Sequence, residues 1–163
     1  MKWFKILIWI GIIYGIYGHQ QLYFSTIKQE NKNINEIKRV QLFLQKYNSP
    51  LQASAKDFIE AAKTYKIDYK VLVGIAGVES GFCKHPAPGT AYNCWGFRSY
   101  SSPSGWWRFA SYREGIFKVA KTLGTDRTYQ AFQRSGKISE LACPYNNCSE
   151  DWTQSIEYFI SKI

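Results

Sequence analysis

The stretch Ile67-Asp-Tyr-Lys-Val-Leu-Val-Gly-Ile-Ala-Gly-Val-Glu-Ser-Gly-Phe82 decides how this chain is read. Asp68 is a good helix N-cap, and Val71, Leu72, Ile75, Ala76 and Val78 follow at the spacing that lines one face of a helix. Glu79 comes four residues after Ile75 and seven after Leu72, so it falls inside the apolar stripe. Burying an ionised carboxylate costs several kcal/mol of hydration, and the same desolvation raises its pKa toward that of a general acid near neutral pH. Gly81 is placed to end the helix and leave Glu79 at the lip of whatever lies beyond. A second reading stays open at this point: a helix-terminal glutamate with its head in solvent or paired with a nearby Arg or Lys.

Outward from this stretch, the chain has 163 residues, of which about 110 from Ser49 onward are enough for a core of their own. It is 17% aromatic and carries a formal net charge of +9, a balance that favours polyanionic neighbours: nucleic acid, anionic lipid or an acidic cell-wall polymer. No zinc-finger spacing, aromatic RNA-binding signature or long basic stripe is present, which argues against nucleic acid.

At the amino terminus Lys2 and Lys5 precede an uncharged apolar run from Ile6 to Gly18. That pattern directs a chain to a membrane. Cleavage after Gly18 or Gly15 would place Ile16 or Ile13 where a small residue is wanted, so residues 1–24 read as a retained signal-anchor, with Tyr23 and Phe24 as interfacial anchors, rather than as a removed signal peptide. The lysines ahead of the run put the bulk of the chain outside the cytoplasm, secreted if the segment is cut.

The four cysteines agree with an oxidising compartment. The simplest pairing is local, Cys83 with Cys94 and Cys143 with Cys148, although other pairings and a zinc site are the alternatives; the spacing lacks the two close pairs of a zinc ribbon or finger.

Residues 25–48 are rich in Lys, Asn, Gln and Glu and read as a tether whose end is an amphipathic helix through Ile34, Ile37, Val40 and Leu44. Ser49-Pro50 marks the start of the domain, residues 49–163. There, Phe58, Ala61, Ala62 and Tyr65 predict one helix, and Ser111-Tyr-Arg-Glu114, a capping box, opens another through Ile116, Val119, Ala120 and Leu123 with Gly124 as its stop. A helix near Tyr129 and Phe132, a turn over Ile138 to Ala142 and a final helix from Ser149 complete a mainly α fold. Between Lys84 and Ala110 periodicity vanishes, and Pro and Gly mix with Trp95, Phe97, Tyr100, Trp106, Trp107 and Phe109 in a loop or short hairpin. Trp106 and Phe109 are assigned to packing.

Glycoside hydrolysis commonly uses two flanking carboxyl groups. No Asp or Glu lies between Glu79 and Glu114, and Glu114 is taken by its cap, so the site relies on one acid. One acid suffices where the N-acetyl group of an amino sugar supplies the nucleophile. His19 and His85 lack the partners of a nucleophile triad, no phosphate-cradling loop is present, and the sequence calls for neither metal nor cofactor.

Taken together, the helix ending Ala-Gly-Val-Glu79-Ser80, the following Asn93-Cys-Trp-Gly96, the run Trp107-Arg-Phe-Ala-Ser-Tyr-Arg-Glu-Gly-Ile116 and the late Pro144-Tyr145 resemble the lysozyme-like glucosaminidase domains of bacteria and their phages, a family related to soluble lytic transglycosylases. The resemblance implies a lysozyme-like helical domain that cleaves the β-1,4 glycan strands of peptidoglycan as an endo-β-N-acetylglucosaminidase, with a lytic transglycosylase as the alternative. It further implies that Glu79 protonates the glycosidic oxygen with Ser80 helping to orient it. Asn93, Trp95, Gly96 and Phe97 would line the sugar site, and Tyr145 would act from across the cleft. The chain departs from the family in lacking the second acid proposed for some glucosaminidases and in its cysteine pairs. A wall-binding module that keeps the cleft without turnover is the rival reading from another class.

Overall fold

In a computed structural model the backbone is described for residues 2–163 and the side chains for residues 20–163. Seven α-helices and two short 3-10 turns account for the regular structure, with no strand among the described residues. The first helix, α1 (Lys2–Lys46), runs through two compact units, one ending at Glu36 and the other spanning Ile37–Ile163. Within the first unit Leu22, Tyr23 and Phe24 are exposed, and Lys32 sits 3.9 Å from Glu36 one turn on. The apolar run read as a membrane segment lies outside the residues whose side chains are described. Among the described residues no helix is long and apolar enough to cross a membrane.

The second unit begins earlier than the sequence indicated. Val40, Phe43 and Leu44, at the end of the segment read as a tether, are buried in the same core as Leu51, Phe58 and Phe82. Amphipathic spacing announces a face to be covered but not what covers it. Here Phe43 and Tyr47 close on Phe82, with ring centroids 5.5 and 4.3 Å away. Ser49 is the N-cap of the turn Pro50–Ser54, accepting from the Leu51 N–H, and its hydroxyl also donates to the Phe82 carbonyl at 2.7 Å.

At the centre stands α3 (Tyr69–Ser80), capped by Asp68, whose carboxylate accepts from the Lys70 N–H at 2.9 Å. Val71, Leu72, Ile75 and Ala76 are buried as the periodicity predicts, and Val73, Gly74 and Gly77 are buried as well, so the helix is enclosed on nearly every side. Its two glycines admit α7 (Glu150–Lys162): a Cβ on Gly74 would lie 3.2 Å from Ile156, and one on Gly77 would meet Phe82 at 2.7 Å and Phe159 at 3.0 Å. Gly81, in the left-handed region at φ 58°, ends α3 where expected.

Around it α2 (Ala55–Tyr65) packs on α4 (Tyr112–Thr125), whose N-cap Ser111 accepts from the Glu114 N–H. Gly124 does not stop α4, which continues to Thr125. It is glycine because a Cβ there would fall 2.4 Å from the Tyr65 carbonyl oxygen, so its absence lets α2 and α4 meet. After α5 (Gln130–Ser135), the expected turn over Ile138 to Ala142 is instead α6 (Ile138–Asn146). Ile138, Leu141 and Ala142 bury one face of it, and Pro144 is tolerated within its last turns. Disulfides join Cys83 to Cys94 and Cys143 to Cys148, the two local pairs. The region 84–110 is loop with one isolated antiparallel bridge, Arg98 to Trp106.

Candidate active site

The last turn of α3 delivers Glu79 half-buried to the place where α7 and the aromatic loop converge. One carboxylate oxygen, Oε1, accepts from the indole N–H of Trp152 at 2.8 Å. The other, Oε2, lies against Gly96: a Cβ built there would be 2.5 Å from it, and Gly96 has φ 61°. Only glycine satisfies both the backbone and the carboxylate at that position. Burial pushes the Glu79 carboxyl above its ordinary pKa, and the Trp152 hydrogen bond, which favours the charged form, offsets part of the rise.

Tyr145, from the last turns of α6, stacks on Trp152 with ring centroids 5.2 Å apart and planes 28° from parallel. Its hydroxyl donates to the Trp95 carbonyl at 2.6 Å. Burial, together with the nearby Glu79 charge, raises the Tyr145 pKa well above the phenolic value, so the ring stays neutral. Gly96 and Tyr145 form the walls of a cavity of about 290 Å³ with Phe97, Arg98, Tyr100, Tyr129 and Pro144, and no carboxylate lines it. Glu79 is not itself in that lining; it borders the cavity through Gly96, against which its Oε2 lies.

The remaining expected site residues serve the frame. Trp95 is completely buried, and its indole N–H donates to the Leu72 carbonyl at 2.9 Å, so it contributes its main-chain carbonyl rather than its ring. Asn93, also fully buried, accepts from the Phe97 N–H and donates to the Phe97 and Trp107 carbonyls, which folds the loop back on itself. The Ser80 hydroxyl points away from Glu79: it donates to the Cys94 carbonyl at 2.7 Å and accepts from the Cys83 N–H. With the Cys83–Cys94 disulfide it ties the loop to the end of α3. Phe97 is half-buried and faces the cavity.

Trp152 is the residue that sequence reasoning missed. It shares the apolar side of the last helix with Ile156, Phe159 and Ile163, a pattern that reads as packing, and nothing local signals that its nitrogen meets a carboxylate 73 positions earlier. Tyr129, Arg98 and Tyr100 were likewise not assigned to the site. Among the described residues no cluster of His, Cys, Asp and Glu is suited to a metal ion. A larger cavity, about 680 Å³, is formed elsewhere, between Tyr65, Ile67, Phe132 and Ile160, and neither Glu79, Tyr145 nor Trp152 lines it.

No protein-family model, no curated protein and no solved structure matches the chain.

Proposed function

We propose that the protein is a glycosidase acting on the β-1,4 bonds of peptidoglycan, with Glu79 as general acid. The observation that carries the reading is a half-buried carboxyl group with a raised pKa, held by the Trp152 indole on one side and by glycine on the other, beside a tyrosine-lined cavity. Such a group keeps its proton to higher pH than an ordinary carboxyl and can give it to a leaving oxygen.

With no carboxylate in the cavity's lining to act as a second acid beside Glu79, the acetamido oxygen of the N-acetylated sugar would attack C1 as the C1–O bond breaks and Glu79 protonates the departing oxygen. Water would then open the cyclic intermediate, with the Glu79 carboxylate taking its proton. If the 6-hydroxyl of muramic acid takes the place of that water, its oxygen bonds to C1, the Glu79 carboxylate takes its proton and the product is the anhydro sugar, the lytic transglycosylase outcome. Tyr145 holds its place through Trp152 and the Trp95 carbonyl and forms the opposing wall. We place the domain outside the cytoplasm, tethered by the apolar run at residues 6–18; the disulfides are compatible with that location.

Mass spectrometry of purified peptidoglycan incubated with the protein and with its Glu79→Gln variant tests the reading. Reducing N-acetylglucosamine ends or anhydro-muramic ends that the variant fails to produce support it and identify the reaction. Absence of new ends, with both proteins sedimenting with the wall, would replace it with a non-catalytic wall-binding module.

A further inference from the structure

The cavity walled by Gly96 and Tyr145 does not end at Arg98. A second hollow, of about 490 Å³, runs along Ser99, Ser102, Pro103 and Gly105, and the two share Arg98 and Tyr100 in their walls. Tyr100 is fully exposed at that junction. Arg98 is fixed more firmly than its exposure suggests. Its guanidinium carbon lies 3.7 Å from the centroid of the Trp106 ring, its backbone bridges Trp106, and the next residue donates its N–H to the Gly105 carbonyl at 3.1 Å.

Its charge is unanswered. Arg113 is paired with both Asp57 and Glu60, yet no carboxylate pairs with Arg98 among the described residues, and neither hollow has an acidic side chain in its lining. A guanidinium stacked flat on an aromatic ring keeps its edge N–H groups free for bidentate bonding to a carboxylate. Stacking also removes much of the rotamer freedom that a surface arginine otherwise loses on binding.

We infer that Arg98, with Tyr100 beside it, is a carboxylate-recognising subsite that makes the cleft select muramyl-containing glycans over uncharged N-acetylglucosamine polymers. The inference rests on the glycosidase reading for the identity of the ligand, while the subsite's geometry is independent of turnover. In peptidoglycan the carboxylate has two sources: the lactyl group of muramic acid where the strand is bare, and the stem peptide where it is substituted.

Three hexasaccharides separate the possibilities: an N-acetylglucosamine hexamer, a bare muramyl strand and a strand with stem peptides. Each is titrated by calorimetry into the full-length chain in detergent micelles, with Glu79→Gln present throughout to suppress cleavage. The expected result is about tenfold tighter binding of one or both muramyl ligands than of the uncharged hexamer, the size of one charge-assisted contact. Arg98→Gln abolishes that preference, and Arg98→Lys retains part of it. Which muramyl ligand is preferred names the source of the carboxylate. Equal binding of all three, no binding of any, or an Arg98→Gln variant that keeps the preference would overturn the inference. Since the readout is binding, a failure to generate new glycan ends would remove the glycosidase reading and leave this comparison standing. Matching thermal melts of the Arg98 variants and their parent exclude misfolding as the cause.

Discussion

Replacing Trp152 by Phe isolates the hydrogen bond that sets the protonation of Glu79. The indole N–H reaches Oε1 at 2.8 Å, and burial and this bond act on the carboxyl in opposite directions: burial raises its pKa and the bond lowers it. Phenylalanine keeps an aromatic ring for Tyr145 to stack on and removes only the donor and part of the volume. A hydrogen bond to a charged group contributes about 1.5 kcal/mol or more, and 1.36 kcal/mol corresponds to one pH unit, so the Glu79 midpoint should move up by about one unit. The direct assay is the carboxyl carbon resonance of Glu79 followed by NMR against pH, assigned with Glu79→Gln. Linkage gives a second readout. A carboxyl whose folded pKa is raised binds more protons folded than unfolded, so it lowers stability as pH rises from the ordinary carboxyl value through the raised one. That loss should begin at the same pH in Trp152→Phe, extend further upward, and vanish in Glu79→Gln. A midpoint that stays put or falls would refute the reasoning, since it would mean that the indole does not hold the charged form or that water replaces it.

Gly96→Ala should destabilise the fold by about 1–3 kcal/mol in urea unfolding, from the left-handed backbone and the collision with Oε2 2.5 Å away, and should abolish glycan cleavage if Glu79 is the acid. An active variant of unchanged stability would contradict the placement of that carboxylate. Replacing both Cys83 and Cys94 by Ser opens an 11-residue loop and should cost about 3 kcal/mol, whereas the same change at Cys143 and Cys148, 5 residues apart, should cost about 2 kcal/mol; equilibrium unfolding of the two variants checks the order.

Much of this was written locally. The Asp68 cap, the Gly81 stop, the Ser111 cap and the apolar stripe of α3 depend on neighbours within a few positions, so spacing and side-chain chemistry alone specify them. Glu79 was legible for the same reason: a carboxyl group on the buried face of a helix is visible in the periodicity. Both disulfides joined cysteines close enough in the chain for the simplest pairing to hold.

Tertiary structure decided what each face meets. The stripe through Val40 and Leu44 could have been a solvated stalk, and the fold turned it into core by bringing Phe82 to it. Trp95 and Asn93 carry the chemistry of a sugar site but are spent on the Leu72 carbonyl and on the loop backbone, because a buried N–H or amide must find a partner wherever the chain supplies one. Gly124 looked like a helix stop and is a contact point, a distinction that exists only once the Tyr65 carbonyl is beside it. The meeting of Trp152 with Glu79 joins residues 73 positions apart, and the stacking of Tyr145 on Trp152 brings the neighbouring helix α6 to the same point. Periodicity reports which side of a helix is apolar; which atom of a distant helix will face it is fixed only when α3, α6 and α7 pack.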